Sequence, residues 1–159
     1  MPRNMTDRNA GAAFDAGAIA DFLLDECRER GEILSNLKLQ KLLFYADAWS
    51  MALFGSPLFN EDFEAWVHGP VLPSQYRRFR EHRWRPITTE VVRPKLPTAT
   101  VDHLIEIIEV FGVETAVALE LMTHREKPWM DARGDLAPSA PCTNVISKSV
   151  TMEYYKSLQ

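Results

Sequence analysis

Cysteine is nearly absent from this 159-residue chain: Cys27 and Cys142 are the only two, and no CxxC pair occurs. A disulfide scaffold is excluded, and two isolated thiols fit a reducing compartment. Glycine is scarce as well, at seven residues. Neither GxGxxG nor GxxxxGK(S/T) is present, so no glycine-rich loop is placed to wrap a phosphate. GxSxG is missing too, which removes the usual nucleophile elbow. His68, His82, His103 and His124 are scattered without HExxH or HxH spacing, so no metal and no cofactor is expected. No segment approaches the ~20 consecutive apolar residues that span a bilayer. The N-terminus lacks the apolar core of a signal peptide. The expected location is the cytoplasm, with no membrane partner.

What is present belongs to an ordinary folded protein. Hydrophobic residues make up 46% and charged residues 25%, which is not the composition of a disordered chain. At this length folding buries roughly 70% of the surface an extended chain exposes. The division expected is a flexible N-terminal tail over residues 1–14 and one domain over 15–159. The net charge of -4 conceals an asymmetry. Arg77, Arg78, Arg80, Arg83, Arg85, Arg93 and Lys95 face only Glu81 and Glu90 in the segment 77–95, leaving it at +5 and the remainder at -9. A basic island on an acidic protein steers acidic partners.

Periodicity predicts a mainly α fold (α+β): a compact helical domain around a central buried helix, with a small β element. Asp15 caps a helix over 16–30, with Ile19, Leu23 and Cys27 inward. Asn36 is read as the cap of the central helix, 37–54, with Gly55 and Pro57 as its stop. That helix is apolar on two faces. Leu39, Leu42, Leu43, Ala46, Trp49 and Leu53 form one stripe, and Phe44, Tyr45 and Ala48 a second. Lys38 and Lys41 are expected to snorkel past these neighbours into water, and Lys41 is a candidate for a charge at the mouth of a groove. Period-two alternation around Phe63, Ala65 and Val67 suggests a short strand, after which Pro70 and Pro73 should prevent ladder pairing. Residues 87–92 suggest a second strand. Further helices are expected from Pro73 to about 82, from a Thr100 cap to Gly112, over 116–124 with Val117 and Leu121 inward, at Pro128-Trp129, and from Ser147 to 158.

Catalysis has two places to reside. His68 beside Gly69-Pro70, and His124, are candidates for a hydrolase-like acid–base pair oriented by Tyr45, Glu64 or Glu126, although no spacing demands it. Nucleic-acid binding has one. The stretch from Arg77 to Arg85 interleaves arginine with Phe79 and Trp84, as backbone contact plus base stacking requires. The sequence pI of 5.6 opposes that reading, since nucleic-acid-binding domains are basic overall.

Three blocks taken together resemble the Panacea domain, the SocA-like antitoxin family that includes phage-associated GepA proteins. They are the Leu-x-Leu-Gln-Lys-Leu-Leu run at 37–43, Glu64-Ala65-Trp66 through Gly69-Pro70-Val71, and Thr123-His124-x-Glu126-x-Pro128-Trp129. The resemblance runs from about residue 16 to 155. It implies a compact, mainly helical fold and an antitoxin without enzymatic activity that neutralises a cognate protein toxin by direct contact. SocA-like members are associated with delivering the toxin to an ATP-dependent protease, ClpXP-like in kind. On this reading Leu39, Leu42, Trp66, Gly69, Pro70 and Trp129 mark the shared scaffold. Partner contact falls to the surface, for which the candidates are Arg77, Arg78, Arg80, Arg83, Arg85, Lys41 and His68. The tail before residue 14 lies outside the resemblance and is a candidate tether.

Overall fold

Local signals in the chain account for most helix boundaries in the computed structural model, which describes residues 14–159. Helix α1 (Ala16–Glu29) starts where the Asp15 carboxylate accepts from the Ala18 amide. Helix α2 (Asn36–Phe54) is capped by the Ser35 hydroxyl, which accepts from the Lys38 amide, and it ends at Gly55 with φ 81°. Strands β1 (Glu64–Trp66) and β2 (Gly69–Val71) pair antiparallel, with Ala65 opposite Pro70 and only Val67-His68 between them. Helix α3 (Pro73–Phe79) opens on its proline and runs into a 3-10 turn, Arg80–His82. There follow α4 (Thr98–Phe111), α5 (Ala116–His124), α6 (Lys127–Arg133) and α7 (Lys148–Lys156). The architecture is mainly α, with one small two-stranded sheet.

Helix α2 is the axis of the fold. It touches α1, α3, α4, α5, α7 and β2. Leu39, Leu42, Leu43, Phe44, Tyr45, Ala46 and Ala48 are all buried in the continuous core. Tyr45 stacks on Phe111 at 4.2 Å, and Phe44 meets Phe63 and Tyr155 edge-on. Among the described residues no helix is long and apolar enough to cross a membrane.

Several expectations change. The cap of α2 is Ser35. Asn36 instead donates from Nδ2 to the Tyr76 carbonyl and accepts from Gln40. Pro70 does sit in a ladder, because β2 has a single strand neighbour and a missing N–H costs nothing on an edge. Residues 87–92 form no strand. Arg28 holds them to α1 by donating to the Ile87 and Thr89 carbonyls, at 2.8 and 2.7 Å. Helix α4 begins two residues before Thr100, after Pro97 and without a side-chain cap. Leu53 is half exposed, and Val117 and Leu121 are 61% and 48% exposed. The inward residues of α5 are Leu119 and Thr123. The tail expected over 1–14 falls outside the described residues except for Phe14. That residue packs on the core, and its amide donates to the Leu58 carbonyl.

One side chain ties β1 to the loop that follows α6. Arg133, buried at the end of α6, donates to the carbonyls of Ala65, Ala137, Pro138 and Ala140. Truncation would strand the buried Ala65 carbonyl, where water cannot replace the guanidinium. Arg133→Ala is expected to lower the urea-unfolding free energy by about 3 kcal/mol, and Arg133→Lys by most of that, since an ammonium cannot reach both sides. Equal stability of Arg133→Lys and the parent would show that charge alone suffices.

Candidate functional site

The three blocks singled out in the sequence meet at one place. Lys41 on α2 is 0% exposed, and its Nζ donates to the Pro70 carbonyl at 2.8 Å. Gly69 lies against that lysine with φ 104°, and a Cβ there would come within 2.6 Å of Lys41 Cε and 2.8 Å of Thr123 Oγ1. Only glycine fits so close an approach at that backbone angle. From the residue before Lys41, Gln40 Oε1 accepts from the Leu72 amide at 2.9 Å. Tyr45 and Tyr155 both donate to Glu126 Oε1. Trp129 Nε1 donates to the Trp66 carbonyl at 2.8 Å. The blocks form a clasp that fastens the hairpin and the start of α6 to the central helix.

Electrostatics follow from burial. Desolvation, only partly offset by the Glu120 charge, pulls Lys41 down to about 7. The expectation that Lys41 snorkels to the surface is therefore overturned: its stem is too deep for its amine to reach water. Lys38 does not snorkel freely either. Its amine is fixed between Glu32 and the Gly112 carbonyl at the end of α4, both at 2.7 Å, where a cation suits the helix terminus. Burial also raises Glu126, against the two tyrosine hydroxyls that favour its charged form. The Cys27 thiol is pushed up to about 11 by burial, which makes it inert.

His68 and His124 do come together, around a residue that sequence reasoning missed. Glu120 Oε2 lies 2.9 Å from His68 Nδ1 and 3.9 Å from His124 Nε2. The two rings differ in kind. The His68 side chain is 72% exposed at the hairpin tip. The His124 ring stacks on Trp129 at 4.1 Å, and burial holds it below the ordinary imidazole value. Glu64, a candidate to orient a histidine, instead accepts from Trp66 Nε1, and Tyr45 is committed to Glu126. Among the described residues no group of three or more His, Cys, Asp and Glu side chains is placed to hold a metal ion. The chemistry on view is a histidine–carboxylate clasp that joins the hairpin tip to α5.

The basic island divides into used and unused arginines. Arg78 pairs with Asp21 at 2.7 Å and lies over Phe79. Arg93 pairs with Asp25 and Glu26 over the Phe22 ring. Arg77, Arg80, Arg83 and Arg85 are exposed, and none has an ion-pair partner among the described residues. Phe79 is buried, so it offers no face for stacking. Trp66 is half-buried against Tyr76, and Trp129 is buried. Glu120, Arg133 and the role of Gln40 are not singled out by the sequence, because His68, the Ala65 carbonyl and the Leu72 amide lie far from them in the chain.

Comparison with known proteins bears on these same blocks. The family model described as antitoxin SocA-like, Panacea domain, matches residues 39–130. A curated relative from Caulobacter vibrioides (strain NA1000 / CB15N), named antitoxin SocA, is 48% identical over 65 residues, which is 41% of this chain. The chain spans only 35% of that relative's length. No solved structure matches.

The buried amine sets a pH dependence whose sign is fixed. The unfolded chain keeps Lys41 protonated up to its ordinary 10.5, whereas the folded chain releases that proton at about 7. More protons on the unfolded side means that stability rises with pH across this window. Lys41→Met, which keeps the apolar stem, should flatten the rise when urea midpoints are compared with those of the parent between those limits. Parallel curves for the two proteins would show that Lys41 is charged in the fold.

Proposed function

The chain belongs to the SocA-like antitoxin family with a Panacea domain, and from that premise we propose that it neutralises a cognate protein toxin by holding it in a stoichiometric complex. The single observation that carries the reading is the family match over residues 39–130, together with the antitoxin name borne by the Caulobacter relative. The use made of the polar side chains supports binding over turnover. Gln40, Lys41, Tyr45, Glu126 and Trp129 are spent on internal hydrogen bonds, so the shared blocks build a scaffold and leave partner contact to other residues. We read residues 15–159 as one such scaffold, working without a cofactor. The face assigned to the toxin carries Arg77, Arg80, Arg83 and Arg85. His68 lies at a separate exposed tip, Arg78 is committed to Asp21, and Lys41 is too deep to touch a partner. The +5 of residues 77–95 suits a confined acidic patch on a protein, whereas the -9 of the remainder opposes an extended polyanion such as nucleic acid.

The test is genetic and then biochemical. The product of the gene beside this one is expressed alone, then with this chain. Growth arrest relieved by co-expression, with the two proteins copurifying in fixed ratio, is the expected result. Adding a purified ATP-dependent protease such as ClpXP to that complex separates holding from delivery: a toxin that survives is held, and one that disappears only when this chain is present is delivered. Rescue by a small fraction of the toxin's concentration, with neither complex nor degradation, contradicts the proposal.

A further inference from the structure

We propose that Arg83, Trp84 and Arg85 form a preformed docking tip that seats the Trp84 indole in an apolar slot rimmed by carboxylates on a protein partner. The inference rests on the antitoxin reading for the partner's identity but not for its chemistry. Three independent features of the tip converge on it.

The first is the backbone. The Arg85 amide donates to the His82 carbonyl at 3.0 Å, closing a four-residue turn with Arg83 in its second position. Arg83 has φ 57° and ψ -121°, the geometry of a type II′ turn, where glycine is the usual occupant. An arginine held in that conformation is strained, and such strain persists only where the surroundings impose it. They do so here. On one side of the tip the Arg83 amide donates to the Arg80 carbonyl. On the other, the Ile87 amide bonds to the Leu34 carbonyl, Arg28 grips the Ile87 and Thr89 carbonyls, and His82 bonds Thr89 Oγ1.

The second is the indole itself. Trp84 is 78% exposed, whereas Trp49, Trp66 and Trp129 all pack into the fold. A large apolar ring displayed from a rigid turn loses little conformational freedom on docking, which is the condition for a binding anchor. Tryptophan and arginine are the residues that most often dominate interface energetics.

The third is charge. Arg77, Arg80, Arg83 and Arg85 are exposed and have no acid partner among the described residues. They supply long-range attraction to a carboxylate-bearing face and orient its approach. A nucleic acid offers anionic groups and stacking as well, but a polyanion longer than the tip meets a remainder of charge -9. An acidic patch on a protein is confined to the size of the tip.

The test uses the full chain as bait for a displayed library of random peptides. The expected winners cluster Asp and Glu around an aliphatic or aromatic residue. They bind Trp84→Ala about tenfold more weakly, with Trp84→Phe between it and the parent. Reversing Arg80 and Arg85 to glutamate should slow their association. Because these side chains are exposed, circular dichroism should show every variant folded like the parent. Peptides that bind Trp84→Ala as tightly as the parent, peptides without acidic bias, or no enrichment at all, would overturn the proposal. So would a short single-stranded oligonucleotide that binds the parent at about 0.15 M salt and loses binding in Trp84→Ala, since that assigns the tip to nucleic acid. Failure of growth rescue leaves the peptide result standing, so the two readings fail separately.

Discussion

A helix enclosed on all sides has no water to satisfy its polar side chains, so each of them must find a partner in the protein or destabilise the fold. In α2 the residues Asn36, Gln40, Lys41, Tyr45 and Asp47 are all buried, and each reaches beyond its own helix. Asn36 takes the middle of α3, Gln40 the residue before it, Lys41 the hairpin, and Tyr45 the residue before α6. Asp47 accepts from the Leu58 amide and from Lys148 on α7. The apolar faces of α2 attract the other helices without specifying where the connecting segments lie. The polar positions do specify it, because a hydrogen bond has one donor, one acceptor and a direction. The segments around Leu58, Pro70 and Leu72 are placed by α2 side chains, and the path of the chain through them depends on that row.

This division of labour bears on what family membership conveys. The matched segment contains the clasp, so likeness at those positions reports a shared way of building the domain. On the proposed reading, a partner meets the exterior, where the exposed arginines and the tip carrying Trp84 lie. Glu120 links surface and interior: it fastens His68 at the hairpin tip to α5 while its charge reaches Lys41. The proposal therefore assigns family identity and partner identity to different residues of the same chain.

The sequence made the scaffold legible and its long-range bonds illegible. The central helix, the glycine at its end and the Ser147 cap were readable because each rests on local geometry or on a strong apolar pattern. Lys41 misled, because a lysine among leucines normally extends to water, and only the position of the Pro70 carbonyl reveals why it does not. Val117 and Leu121 misled for another reason. The run from Ala116 to Met122 has apolar residues on most sides, so its period does not choose a face. The choice is made by Leu119 and Thr123, which fit against α2 and β2. The segment 87–92 has the β-branched composition of a strand, yet its carbonyls at Ile87 and Thr89 are taken by Arg28 and its Ile87 amide by the Leu34 carbonyl. Of the candidate partner residues, the exposed arginines could be named from charge alone. Separating them from Arg78 and Arg93 required the positions of Asp21, Asp25 and Glu26.

Native-state hydrogen exchange tests most directly whether the polar row of α2 governs the chain path. The Leu72 amide is held by Gln40 and the Leu58 amide by Asp47, and both lie outside regular helix or strand. If these bonds lock the connecting segments to α2, both amides exchange only when the whole domain unfolds, with the same denaturant dependence as amides in the middle of α2. Exchange of Leu58 and Leu72 through local opening, well below the free energy of global unfolding, would contradict the account and leave the apolar faces as the sole organiser of the fold.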